Sequence, residues 1–349
     1  MTRPATGAGV VAALVCTLAA VSGCQPGIGS TDGATAGAGA KIIASTAQPR
    51  MPYIDMVDRI AARQTKVWIE VDLVRAWQAG SQRYSDVLNI ALKLASRPGV
   101  VGIKIADELG YHDGIDTPAQ ARTFLAQASK DIRSRLPGTK ILIDMVVPQL
   151  GCLAWVVESS TESERRDCAI AQGNTSPAAT IDAVGGYLRS KAIDVLDLSA
   201  GLQDASRYDS WKTTPDKAMR EIWTEVIRRQ WGVLVTLQAR KALAHPGSYQ
   251  GGTAQAERDL RTFVDIPLAN GARAVDIWTW SQPYKGTTYR LSDSGLRTNP
   301  LIAGLARRRA AGDQLFTHMT PSSLGVSVGT DVRAAAAIFT DVFVAAGAG

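Results

Sequence analysis

The chain has 349 residues, 46% of them hydrophobic, with a formal charge of +6 and a pI of about 9.2. That apolar share can bury one large core or two modest ones. The basic balance comes with no nucleic-acid motif and no phosphate-binding Walker loop, so it excludes an obvious nucleic-acid partner; the basic cluster Arg307–Arg309 reads as a solvated helix face.

At the N-terminus Arg3 precedes an apolar run, Val10–Val21. A basic start, a short apolar core and small residues before a cleavage point describe an export signal, too short for a stable anchor. Val21-Ser22-Gly23-Cys24 resembles the lipobox of bacterial lipoproteins. The resemblance implies that residues 1–23 are removed and that Cys24 is acylated as the new N-terminus. Residues 24–40 are mostly Gly, Ala, Ser and Thr and read as a flexible tether, leaving 41–349 as one folded domain. The expected location is the extracytoplasmic face of the cell membrane, held by lipid. After Cys16 and Cys24, only Cys152 and Cys168 remain. In an oxidising compartment they suggest a disulfide, worth about 3 kcal/mol for a loop of about fifteen residues.

Beyond the tether, apolar runs alternate with helix-like stretches. Expected strands are Lys41–Ser45, Lys66–Leu73, Gly99–Asp107, Lys140–Val147, Ile193–Ala200, Gly232–Ala239, Ala272–Trp280 and a weak Leu324–Val328. Helices are expected between them, the clearest from about Pro118 to Arg135, stopped by Leu136-Pro137-Gly138; an apolar helix closes the chain. Such alternation, without a Gly-x-Gly-x-x-Gly after the first strand, argues for an α/β fold of the (β/α)8 TIM-barrel class, irregular at its first and last strands.

Strands in such a barrel send alternate residues inward. The rule places Glu70, Lys104, Glu108, Asp144, Asp197, Gln238, Arg240, Asp276, Trp278 and Trp280 inside. Isolated buried charge is costly, so Glu70, Lys104 and Asp144 are expected as an ion-paired group. Glu108 lies past the apolar part of its strand, where no structural partner is needed. Asp107, by the same alternation, faces the helices or the rim.

Asp107-Glu108 with Tyr111 resembles the acid/base strand end of glycoside hydrolases and related barrel lipoproteins. The resemblance implies Glu108 as proton donor, with Asp144 or Asp197 as the second carboxylate that glycosidic cleavage requires. Tyr111, Trp278 and Trp280 would form a sugar platform, with Gln238, Arg240, Asp276 and Glu70 as further substrate contacts. Trp155 and Trp211 could extend the rim. The histidines His112, His245 and His318 show no zinc-protease spacing, and Gly325-Val326-Ser327-Val328-Gly329 has no histidine after it to serve a nucleophile elbow.

The expectation is an exported, lipid-anchored glycoside hydrolase acting on carbohydrate or cell-envelope glycan, with no cofactor and no metal assigned. The alternative is a non-catalytic glycan-binding or envelope lipoprotein on the same barrel. A third class is an aldolase-like enzyme using Lys104 as a Schiff base.

Overall fold

The computed structural model describes residues 44–111, 113–153, 162, 166, 168, 176–231, the backbone of 235–238, and 243–346. The expected signal and tether, Cys24, His112, Trp155 and Arg240 lie outside these residues. The strands are β1 (Lys66–Glu70), β2 (Val100–Ala106), β3 (Lys140–Val146), β4 (Val195–Ser199), β5 (Val235–Gln238), β6 (His245–Pro246), β7 (Val275–Tyr284), β8 (Thr287–Arg290), β9 (Leu315–Met319) and β10 (Asp341–Ala345).

Parallel pairing runs β5-β4-β3-β2-β1-β10-β9-β7, and β5 also pairs with β7, which brings the sheet round on itself. β8 adds antiparallel to the long end of β7, and β6 adds to β8. The expected barrel is therefore met in part. The fold is α/β with a curled sheet, but the sheet is mixed and ten-stranded rather than a plain eightfold repeat.

Helices cover the outer face because their apolar stripes match it. Pro118–Arg135 starts at a capping box: the Thr117 side chain accepts from the Gln120 amide, and Gln120 accepts in return from Thr117 N–H. Met51–Ala61 lies over β1 and β10 and packs on Val328–Ala336. The aliphatic residues Val67, Ile69, Ile103, Ile105, Ile141 and Ile143 join this outer core, as alternation requires. A second, inner cluster of Trp68, Leu142, Val195, Ala274, Phe316 and Phe343 fills the end where the strands begin.

One expected strand is corrected, and of another, Lys41–Ser45, residues 41–43 lie outside the described residues. Residues 44–45 are not strand, and Leu324–Val328 is not either: Ser327 instead caps Val328–Ala336 by accepting from the Thr330 amide. Their places are taken by β9 and by β10, the latter within what was expected to be the closing helix. The count of eight parallel strands survives with two members exchanged, and the strand before Glu108 becomes the second.

β2 carries two register shifts, one beside Val101 and one beside Ile105. The first turns Val101 toward the inner cluster instead of the helices. Between the two shifts, Gly102 lets the Trp68 indole lie directly against the strand. A Cβ there would overlap that ring and stand 2.6 Å from the Lys140 carbonyl oxygen. Gly102→Ala is expected to destabilise the protein by about 1–3 kcal/mol, measured by urea unfolding.

The Cys152–Cys168 disulfide is also corrected. Both residues are buried thiols; Cys152 Sγ lies 3.4 Å from the Gln149 carbonyl, and Cys168 Sγ meets the Cys152 carbonyl. Each sulfur is turned to backbone oxygen rather than to the other sulfur. A reducing agent is accordingly expected to leave the thermal midpoint unchanged.

Candidate active site

Above the inner apolar cluster, the strands present a layer of charge. Lys104, from the middle of β2, is fully buried, and its Nζ lies 3.1 Å from Glu70 Oε1, 3.0 Å from Asp107 Oδ1 and 3.7 Å from Asp144 Oδ2. His318 on β9 continues the layer: Nδ1 is 2.8 Å from Glu70 Oε2 and Nε2 is 2.7 Å from Asp276 Oδ2. Asp197 stands near enough to Asp276, and Asp107 to Asp144, for each carboxyl to bear on its neighbour's proton affinity. Seven titratable side chains thus form one connected chain, Asp197–Asp276–His318–Glu70–Lys104–Asp107–Asp144.

Phe343 is the floor. The His318 ring stacks on it at 4.6 Å between centroids, with 23° between the planes, and Lys104 Nζ stands 5.6 Å from the same ring. Only two members of the chain reach solvent appreciably, Asp107 at 45% and Glu70 at 14% side-chain exposure. Both lie at the end of a parallel strand, the end at which barrels of this architecture carry their chemistry.

The neighbours set the protonation states. Burial opposes the Lys104 charge, but Asp107, Glu70, Asp144 and Asp197 outweigh it and hold its pKa well above the usual range. Burial likewise opposes the His318 charge, yet Asp276 and Glu70 raise its pKa to about 9. For Glu70, burial is overcome by Lys104 and His318, which bring it down to about 2. Asp276 is lowered in the same way, by His318 and by neighbouring Asp197. Asp144 goes the other way: burial, with Asp107 and Asp197 nearby, outweighs Lys104 and raises it well above the carboxylate range. At neutral pH the layer holds an ammonium, an imidazolium, and ionised Glu70 and Asp276, while burial disfavours the charged form of Asp144.

A turn fixes Asp107. Leu109 N–H donates to the Asp144 carbonyl at 2.8 Å, and Tyr111 N–H to the Glu108 carbonyl at 2.8 Å, with Glu108 at φ 55°. The register shift beside Ile105 breaks the alternation just before this turn, so Asp107 meets Lys104. The expected roles of Asp107 and Glu108 are therefore corrected: Asp107 joins the charged layer, while Glu108 is half-buried in the turn.

Glu70, Asp144, Asp197 and Asp276 are inward, as the alternation required. Trp278 and Trp280 are both buried and do not form a shared open platform. Trp278 packs among Tyr284 and Tyr289, whereas Trp280 turns to the helix side, against Phe339, with Nε1 donating to Asp331 Oδ1 at 3.3 Å. A register shift between Ile277 and Ser281 separates the two. Tyr111 is half-buried, Gln238 ends β5, and Arg240 lies outside the described residues. The Schiff-base alternative is opposed by the raised Lys104 pKa, which favours the ammonium, since the nucleophile must be the neutral amine. Among the described residues, no group of three or more His, Cys, Asp or Glu is arranged to hold a metal. His318 was missed because Leu315–Met319 was not read as a strand; its single signal is a histidine placed among apolar residues.

No family model matches the chain, and no curated protein matches it. Solved structures similar to it include a pyruvate carboxylase of Rhizobium etli, at 13% identity and TM-score 0.40, covering 84% of this chain and 24% of that one. They also include a putative phosphonomutase of Burkholderia cenocepacia, at 8% identity and TM-score 0.37, covering 84% and 92%. An oxaloacetate acetylhydrolase matches at 12% identity and TM-score 0.39, covering 83% and 80%. The chain thus spans about a quarter of the length of the first. The expected catalytic pairing fails on geometry. Asp144 and Asp197 have no exposed surface, and the first is bound into the Lys104 network. The glycosidic expectation, with Glu108 as acid and Asp144 or Asp197 as its partner, is corrected accordingly.

Proposed function

We propose that the chain is an acid–base enzyme whose reaction centre is the exposed edge of the charged layer, at Asp107 and Glu70. The observation that carries this reading is the unbroken line of titratable groups from sealed Asp276 and His318 out to solvent at Asp107. Shifted, mutually coupled groups gathered at the strand ends of an α/β barrel are the arrangement acid–base chemistry needs.

The reaction class that suits it is proton abstraction next to a carbonyl. Asp107 accepts the proton as the C–H bond breaks, and the electron pair moves onto the carbonyl oxygen. Lys104 and His318, one layer beneath, offset the negative charge that develops there. The proton held on Asp107 then returns to product or leaves to water.

The test is solvent-deuterium incorporation into a panel of small 2-oxo acids, ketoses and acyl thioesters, followed by proton NMR. Wild-type protein is expected to label one class, and Asp107→Asn to lower that rate at least about 100-fold, the scale of a lost general base. Absence of labelling across the panel, or an unaffected Asp107→Asn variant, would refute the reading.

The sealing of Lys104 and Asp276 favours a second reading, in which the layer holds the strands in register and the mouth only binds. That reading has Asp107→Asn lowering the unfolding midpoint with no exchange chemistry in either protein.

We also propose export and lipid anchoring at Cys24, supported by the lipobox-like Val21-Ser22-Gly23-Cys24. Among the described residues, no helix is long and apolar enough to cross a membrane. Cys24→Ser should move the protein from the detergent phase to the aqueous phase in a partition assay; an unchanged distribution would count against the anchor.

A further inference from the structure

At the opposite end of the barrel, below the inner cluster, lies a cavity of about 310 Å³. Its lining divides into two parts. The Trp68 and Phe316 rings, with other apolar inner-cluster residues, form an apolar wall. Lys66, Lys140 and Arg273, all exposed, stand around it as three cations at or beside the first residues of β1, β3 and β7.

Against these cations the cavity has one carboxyl group, Asp341, only 2% exposed. Its Oδ1 accepts from Trp68 Nε1 at 3.0 Å, and its Oδ2 has no hydrogen-bond partner among the described residues. Burial raises the Asp341 pKa, against the opposing Trp68 and Thr340 hydrogen bonds and the nearby Lys66 and Lys140.

We propose that this cavity binds a small organic monoanion with an apolar body, of the aryl- or alkyl-carboxylate class. The carboxylate lies among Lys66, Lys140 and Arg273, while the apolar body packs on Trp68 and Phe316. The site is separate from the mouth, and Phe343 lies between the two, so its occupation does not depend on the reaction proposed there.

The test is calorimetric titration of the full chain with 3-phenylpropionate, 3-phenylpropanamide, phenylalanine and inorganic phosphate. The carboxylate is expected to bind at least about tenfold more tightly than each of the other three, which lack the charge, add an ammonium or lack the apolar body. The triple variant Lys66→Gln, Lys140→Gln, Arg273→Gln is expected to weaken that binding at least about tenfold. Its three sites are exposed, so its melting curve should match wild type and separate lost binding from lost fold. No heat with 3-phenylpropionate, equal affinity for the amide, phenylalanine or phosphate, or unchanged affinity in the triple variant would each overturn the proposal.

Discussion

Replacing Lys104 with methionine is expected to lower the unfolding free energy by about 3–5 kcal/mol, the cost of breaking a buried charge pair from one side. The methionine fills the space of the lysine stem, so cavity formation contributes little and the loss is electrostatic. Glu70 and Asp276 would be left facing only His318, and Asp107 would lose its cation at 3.0 Å. Urea unfolding at neutral pH measures this directly. The double variant Lys104→Met, Glu70→Gln should recover part of the loss, because it removes the charge that the first change strands. A cost under about 1 kcal/mol for Lys104→Met would mean that the layer is solvated rather than sealed.

The second large effect is a fall in stability on the alkaline side. His318 has its pKa raised by folding from 6.5 to about 9, so its contribution is complete below the lower value and is lost as pH rises through the upper one. A rise of that size is worth about 3 kcal/mol. Asp144 adds to the same downward trend, since a carboxyl held protonated by burial favours the folded state less as pH climbs. Glu70 and Asp276 act at the other end. Their pKa values are lowered, so their contribution is present above the ordinary carboxylate range and is lost as pH falls, for Glu70 toward about 2. Stability measured from pH 4 to pH 10 should therefore peak between about pH 4.5 and pH 6.5 and fall as pH rises toward about 9. His318→Gln should flatten the alkaline fall; an equally steep fall in that variant would place its origin elsewhere.

Much of this layer was legible from alternation alone. In β1, β3, β4 and β7 the pattern of aliphatic and polar residues assigned Glu70, Asp144, Asp197 and Asp276 to the interior, because a two-residue period leaves no other face for them. The same rule failed where the period itself was interrupted. The shift beside Ile105 exchanged Asp107 for Glu108, and the shift after Ile277 sent Trp280 to the helix side. The β2 bulge adds one residue without any compositional mark, since Ile105 is what a regular strand would also carry.

The last two strands were hidden for another reason. Val328–Ala336 and β10 are separated by only a short turn, and the alanine-rich helix runs into the apolar Val342-Phe343-Val344, so one long apolar helix was the simpler reading. With β9 unrecognised, His318 had no strand to face inward from, and nothing linked it to Glu70 or Asp276. The disulfide was read from compartment and loop length, neither of which reports where the sulfurs point.

The most direct measurement is an NMR pH titration of the His318 imidazole, assigned among the chain's three histidines with the His318→Gln variant. A layer that links Glu70, His318 and Asp276 requires a midpoint near 9. A midpoint at or below the ordinary histidine value of about 6.5 would contradict the charged network on which the acid–base account rests.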